Sequence, residues 1–189
     1  MNNCSNIPLI EIMAGDDVVL SLAYATAANF TGKPIYSHER CYLHPDAAER
    51  LHDALALARR FDHRLKLFDG FRPAEAQQIL WDACPNPEFL ANPKKGSPHS
   101  RGVAIDLTLI DPTGRELDMG TPFDTFTPLS HHGNEEISLE ASQNRLFLLG
   151  LMTDAGWDFY RNEWWHYQLF DAKRYPVLYD ADLDLGMLA

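Results

Sequence analysis

Cysteine is scarce in this sequence. It has three, Cys4, Cys41 and Cys84, an odd number with no C-x-x-C pair, which speaks against a disulfide framework and a cysteine zinc site. A reducing cytoplasm is the expected setting, and each cysteine reads as small apolar filler or a free thiol. Basic side chains are also few: 16 Lys and Arg against 27 Asp and Glu, a net charge of -11 at pH 7. Such a surface repels nucleic-acid phosphates and anionic membranes, so neither is an expected partner. Long apolar runs are absent. The stretch Val18 to Phe30 is interrupted by Ser21, Thr26 and Asn29 and preceded by Glu11, Asp16 and Asp17, so it reads neither as a signal peptide nor as a membrane span. Repeats, low-complexity tracts and long Gly/Ser linkers are missing too, and one domain over residues 1–189 is the expected organisation.

What remains is the composition of a globular protein: 46% hydrophobic and 23% charged residues in a chain of 189, enough for a core around a buried site. Helical periodicity predicts a helix over residues 45–61, opened by Pro45, with Leu51, Ala54, Leu55, Ala58 and Phe61 on one stripe. Pro73 opens a second helix to about Cys84, with Ile79, Leu80 and Ala83 facing inward and Pro85 as the stop. A third runs from Ser138 as N-cap to about Ala155, ended by Gly156. Strands are predicted at Arg64–Asp69, Val103–Ile110 and Trp164–Phe170. Without strict βαβ alternation, the expected fold class is α+β, with helices packed on a central, mainly antiparallel sheet. The acidic, weakly patterned end from Asp180 to Ala189 reads as a frayed tail.

Two segments carry chemistry. In Ser97-Pro98-His99-Ser100-Arg101-Gly102-Val103-Ala104-Ile105-Asp106-Leu107-Thr108-Leu109, strand alternation sets Val103, Ile105, Leu107 and Leu109 on one face and Asp106 on the other. A carboxylate in mid-strand is costly to desolvate unless it is paired, hydrogen-bonded or bound to metal. His99 lies in a loop punctuated by Pro98 and Gly102 and is able to fold back toward it. In Glu163-Trp164-Trp165-His166, residues at i and i+3 point to opposite faces of a regular strand, so Glu163 and His166 share a site only if the chain bends near Glu163. Two imidazoles and one carboxylate suit zinc and leave a fourth position for water. Each piece alone is a weak signal, because short His and carboxylate spacings are common without function.

Several separated motifs add weight in the right order. Ser97-x-His99-x-x-Gly102-x-Ala104-x-Asp106, Glu163-Trp164-Trp165-His166 and Asp69-Gly70-Phe71-Arg72-Pro73 are joined by Tyr24-Ala25-Thr26, Asn29-Phe30-Thr31-Gly32-Lys33, Met119-Gly120 and Phe123-Asp124. Together they resemble the D-alanyl-D-alanine dipeptidases, relatives of the zinc D,D-carboxypeptidases. The resemblance implies one zinc ion per chain, held by His99, Asp106 and His166, with Glu163 as catalytic base and Arg72 beside the scissile carbonyl. It assigns Tyr24, Ser97 and Asp124 to holding the dipeptide, and it implies a compact α+β domain of the D,D-peptidase kind. The implied reaction is hydrolysis of D-Ala-D-Ala to two D-alanines.

Other readings stand beside it. Arg72 could simply pair with Asp69 at a helix entrance, and Trp164 and Trp165 read as core or pocket wall. His131-His132, among Ser130, Gly133 and Asn134, reads as a solvated or lid loop. His38, His44, His52 and His63 read as surface residues. Rival functions are a D,D-carboxypeptidase or endopeptidase on peptidoglycan stems and a zinc-binding interaction module without catalysis.

Overall fold

A computed structural model describes residues 9–189; Cys4 lies outside the described residues. The elements in order are β1 (Ile10–Ile12), β2 (Val18–Leu20), β3 (Cys41–Leu43), α1 (Pro45–Arg60), β4 (Arg64–Asp69), α2 (Ala74–Ala83), β5 (Ala104–Ile110), α3 (Leu139–Asp154), β6 (Asp158–Phe159), β7 (His166–Gln168) and α4 (Asp180–Leu183). Local chemistry explains the helix starts. His44 caps α1 by accepting the Asp46 N–H at its Nδ1, Pro45 fills the first turn, and Arg59 and Arg60 close the last turn against the helix dipole. Ser138 Oγ accepts the Ala141 N–H at 3.0 Å to start α3, as its position predicts. No helix among the described residues is long and apolar enough to cross a membrane.

The main sheet has the order β2-β4-β5-β7-β6. Only the β2–β4 pair is parallel; β4–β5, β5–β7 and β6–β7 are antiparallel. The class is α+β with a mainly antiparallel sheet, as the sequence pattern predicts. One irregularity matters. The β4–β5 register shifts between Leu67, opposite Leu107, and Asp69, opposite Asp106. The extra residue is a β-bulge, a device that re-aims side chains beside functional sites. Because Asp106 is also opposite His166, the bulge lines up Asp69, Asp106 and His166 in one row across three strands.

The two faces of β5 serve different ends. Ile105, Leu107 and Leu109 join a core with Leu51, Ala54 and Ala58 of α1, Leu148, Leu151 and Met152 of α3, and Trp157, Trp164 and Trp165. Asp106 and Thr108 alternate onto the other face and are buried as well. There a second cluster, including Tyr24, Tyr36, Phe71, Ala76, Leu80, Leu90 and Met187, walls the site. Gly70 follows the bulge where β4 passes close to β3. A Cβ there would meet Cys41 Sγ at 2.7 Å and the Tyr42 carbonyl oxygen at 3.0 Å, so only glycine fits.

Three expectations are corrected. Helix α2 buries Ala76, Gln77 and Leu80, while Ile79 and Ala83 are exposed; the stripe is rotated because Gln77, polar by type, is anchored inside by hydrogen bonds to Arg72 and to the Ala91 carbonyl. Phe61 ends α1 exposed rather than on the buried stripe. The C-terminal segment is docked, not frayed. Its Asp180 carboxylate accepts the Met187 N–H, Met187 is buried, the Ser37 N–H donates to the Met187 carbonyl, and the Ala189 N–H donates to the Ile35 carbonyl. Leu183, Leu185 and Leu188 pack against the same cluster as Met187, so apolar contacts join these hydrogen bonds in anchoring the segment.

Candidate metal centre and active site

Three donor atoms converge at the row set by the bulge. His99 Nε2 lies 3.1 Å from His166 Nδ1, His166 Nδ1 lies 3.1 Å from Asp106 Oδ1, and His99 Nε2 lies 3.3 Å from Asp106 Oδ1. His99 reaches this point from a 3-10 turn, His99–Arg101, ended by Gly102 in the left-handed region at φ 68°. The outer nitrogen of each ring is committed elsewhere: His99 Nδ1 donates to the Gly70 carbonyl at 2.8 Å, and His166 Nε2 donates to Gln168 Oε1 at 3.1 Å. The inner nitrogens face each other and a carboxylate oxygen, three possible ligand atoms within 4.8 Å of one another. Two imidazole nitrogens and a carboxylate oxygen, buried and convergent, are a donor set able to hold a cation. Zinc bonds of about 2.0–2.2 Å in a tetrahedron imply donor–donor edges of about 3.3–3.5 Å, close to the edges seen. The donor set fits a metal ion of that kind.

Around this tripod the remaining charges interlock. Arg72, 4% exposed, donates through Nε to Asp69 Oδ2 at 2.7 Å, through one terminal nitrogen to Gln77 Oε1 at 3.0 Å, and through the other to Asp106 Oδ2 at 3.4 Å. Its guanidinium also lies 5.0 Å from the centre of the Tyr24 ring. The simple pairing of Arg72 with Asp69 and its place in the site are both real: one side chain does both. Tyr36 donates its hydroxyl to the other Asp69 oxygen at 2.8 Å. Tyr24 donates to Asp124 Oδ2 at 2.9 Å. Asp124 has φ 57°, a left-handed conformation that aspartate tolerates better than most residues and that concentrates at functional sites. Burial, reinforced by the charge of Asp106, pushes the Asp124 carboxyl up to about 7. Burial alone would raise Asp106 too, but the two imidazoles outweigh it and hold that carboxyl below its usual range.

Glu163 occupies the turn before β7, where its N–H donates to the Tyr160 carbonyl. The chain is bent there, as a shared site requires, and Glu163 Oε2 comes within 3.8 Å of His166 Nδ1. Burial, with the negative charges of Asp106 and Asp124, raises its carboxyl well above the ordinary glutamate value. Ser97 is buried beside His99 and accepts its N–H at 3.2 Å. All eight residues predicted for the site, Tyr24, Arg72, Ser97, His99, Asp106, Asp124, Glu163 and His166, line one cavity of about 220 Å³. Its roof is the segment from Pro87 to Ala91, held down by the Tyr160 hydroxyl donating to the Glu88 carbonyl at 2.8 Å and by His131 Nε2 3.1 Å from the Glu88 carboxylate.

Of the two readings of His131-His132, solvated loop or lid, the contact of His131 with Glu88 fits the second, and both residues are half-buried. His131 braces the roof, and His132 packs edge-on against Phe159 and Tyr167. Trp165 forms cavity wall and Trp164 packs beside it, donating its indole N–H to Thr121 Oγ1 at 2.9 Å. His44 caps a helix instead of standing free. Sequence reasoning did not identify Gln77, Gln168 or Tyr36 as parts of the site, nor a role there for Asp69 beyond its pairing with Arg72. Gln168 had one usable signal, its place two residues after His166 on the same strand face.

Comparison with known proteins shows the family. The profile described as D-ala-D-ala dipeptidase, of the M15 peptidases, matches residues 5–183. The chain is 43% identical over 164 residues to the D-alanyl-D-alanine dipeptidase of Escherichia coli strain K12, covering 87% of this chain and 85% of that protein. It is 39% identical over 178 residues to the D-alanyl-D-alanine dipeptidase of Enterococcus faecium, covering 82% of this chain and 87% of that protein. To the protein of the same name in Enterococcus faecalis it is 38% identical over 177 residues, with 82% and 87% covered. With a match along nearly its whole length and relatives this similar, the chain belongs to the D-Ala-D-Ala dipeptidase family of M15 peptidases.

Proposed function

We propose that the chain, acting as one domain in the cytoplasm, is a zinc dipeptidase that hydrolyses D-Ala-D-Ala to two D-alanines. The observation that carries this is the convergence of His99 Nε2, His166 Nδ1 and Asp106 Oδ1, with Glu163 Oε2 3.8 Å from His166 Nδ1 and Arg72 hydrogen-bonded to Asp106. When bound there, zinc supplies a Lewis acid that lowers the pKa of a water and polarises the scissile carbonyl. Glu163 takes a proton from the attacking water and returns it to the departing amine nitrogen as the C–N bond breaks, leaving a carboxylate and free D-alanine. Its burial raises its basicity toward the working pH, and acid–base help of this kind is worth about 10²- to 10⁴-fold. Arg72, fixed by three acceptors, offers its remaining hydrogen-bonding capacity to the developing oxyanion.

The substrate reading rests on family membership and on cavity size. At about 220 Å³, the cavity falls below the roughly 300–1,000 Å³ of drug-sized sites, which suits a free dipeptide better than a peptidoglycan stem. A dipeptide zwitterion needs an anion near its ammonium, a role we assign to Asp124 and the outer oxygen of Asp106, and donors near its carboxylate, a role we assign to Ser97. A non-catalytic module has no use for Glu163, whose buried carboxylate makes no hydrogen bond among the described residues. The test is D-alanine release from D-Ala-D-Ala by zinc-loaded wild type and Glu163→Gln, with metal content measured in both. The expected result is turnover by wild type and a loss of at least about two orders of magnitude in the variant with zinc retained. Wild type that binds zinc and leaves the dipeptide intact overturns the substrate assignment.

A further inference from the structure

The two imidazoles of the tripod present different atoms: His99 turns Nε2 inward and His166 turns Nδ1 inward. Ring orientation is not set by the ligand position alone, because rotating an imidazole by half a turn exchanges which atoms face the site. Something must hold each outer N–H. For His99 it is a backbone carbonyl, that of Gly70 at 2.8 Å, fixed by the close approach of β4 and β3. For His166 it is a side chain, Gln168 Oε1 at 3.1 Å. The geometry points to Gln168 as the positioning residue of the metal centre, the group that selects Nδ1 of His166 as the inward donor. This inference rests on the metal centre proposed above.

The placement of Gln168 supports the role. Its backbone is paired on both sides, with Ala104 of β5 and Asp158 of β6, so the base of the side chain has little freedom. It stands two positions after His166 on β7, which puts both side chains on one face of the strand. It is half-buried and lines both the catalytic cavity and the neighbouring groove formed with Gly96, Pro98 and Arg101. It therefore adds little to the core, and packing alone does not explain a polar residue directed at the back of His166. An acceptor on the outer nitrogen holds the ring with Nε2–H turned outward and Nδ1 turned to the site. In metal sites generally, removing such an outer partner lowers metal affinity by about 10- to 100-fold.

The experiment compares wild type, Gln168→Leu and Gln168→Glu, with zinc affinity measured by competition against a chelator of known strength. Nitrogen-15 spectra of the histidine rings are recorded in the zinc-loaded proteins. Leucine removes the acceptor at similar size; glutamate restores one. The expected result is zinc affinity reduced about 10- to 100-fold by leucine and kept within about threefold of wild type by glutamate. The His166 Nε2 proton should be sharp and slow to exchange in wild type and in the glutamate variant, and lost or fast-exchanging in the leucine variant. Melting of the metal-free proteins shows whether leucine has disturbed the fold; if it has, Gln168→Met takes its place with the same expectations. The inference is overturned if the apolar variant binds zinc within about threefold of wild type, or if leucine and glutamate weaken binding equally. Wild type that fails to retain zinc overturns the metal centre first and this inference with it, a result visible before any substitution is made.

Discussion

Asp69 and Asp106 stand directly opposite each other across β4 and β5, both buried, and one guanidinium, that of Arg72, is hydrogen-bonded to both. Two carboxylates buried this close are unfavourable unless their charges are matched. Arg72 matches them in part, the Tyr36 hydroxyl holds the far oxygen of Asp69, and the imidazoles of His99 and His166 stand against Asp106. The bulge at the end of β4 creates this opposition, so a local irregularity of the sheet couples the metal centre to its electrostatic support.

Replacement of Arg72 by lysine is expected to lower kcat/KM by about 10²-fold or more, since a single ammonium cannot serve Asp69, Gln77 and Asp106 together while facing the substrate. Arg72→Ala is expected to cost about 3–5 kcal/mol of stability as well, by leaving Asp69 buried and unpaired. Steady-state kinetics on the lysine variant and urea unfolding of the alanine variant check the two statements. Lysine working as well as arginine would remove Arg72 from the reaction and leave it a purely structural ion pair.

Much of this was legible in the sequence because the pattern and the chemistry coincide. The alternation along β5 placed Asp106 away from the α1/α3 core, and the i, i+3 spacing of Glu163 and His166 required the turn that is present. Helix boundaries followed from Pro45, Ser138 and Gly156. The hidden parts are those in which tertiary partners override local pattern. Gln77 turns α2 by binding Arg72 and a roof carbonyl, neither of which is near it on the helix. The bulge at Phe68 leaves no mark in residues 64–69, whose sequence reads as a regular strand. The sequence left His131 and His132 between solvated loop and lid because their partners, Glu88, Phe159 and Tyr167, come from distant segments.

Asp124 should trade stability for recognition. Its carboxyl is raised to about 7 by burial and by Asp106, so between the unfolded value near 4 and pH 7 the folded metal-free protein holds a proton that the unfolded chain has lost. Stability therefore falls as pH rises through that window. Asp124→Asn is expected to stabilise the metal-free protein by about 1–3 kcal/mol at pH 8 and by nothing measurable at pH 4. The same change should lower kcat/KM for the free dipeptide at least about tenfold while leaving an N-acetylated analogue unaffected, since only the zwitterion has an ammonium to lose. Equal losses for both substrates would refute ammonium recognition by Asp124.

Removing the metal should loosen the site from within. With the cation gone, His99 Nε2, His166 Nδ1 and Asp106 Oδ1 are left facing one another. Binding to the folded state alone adds about 2.7 kcal/mol at a free metal concentration 100 times Kd. Calorimetry of the loaded protein and of the chelated protein should therefore show a higher Tm with metal, rising with zinc concentration. Identical melting with and without chelator would mean that the tripod is not a metal site.

His132 gives the fold an acid-sensitive point away from the metal. Burial, aided by the charge of Arg145, pulls its pKa down from 6.5 to about 4, and its Nε2 is buried without a hydrogen-bond partner. The unfolded chain binds a proton here at a higher pH than the folded chain does. The contribution to stability is therefore complete above pH 6.5 and is lost as pH falls toward 4, at about 1.4 kcal/mol per pH unit and about 3 kcal/mol in all. His132→Phe keeps the edge-on packing against Phe159 and Tyr167 and removes the titration. In metal-free protein unfolded by urea at pH 7.5 and at pH 4.5, wild type should lose about 2–3 kcal/mol more than the variant. Because both chains share every other titrating group, an equal loss in the two would show that His132 is free to ionise in the folded protein and that the segment from residue 130 to 134 opens to water.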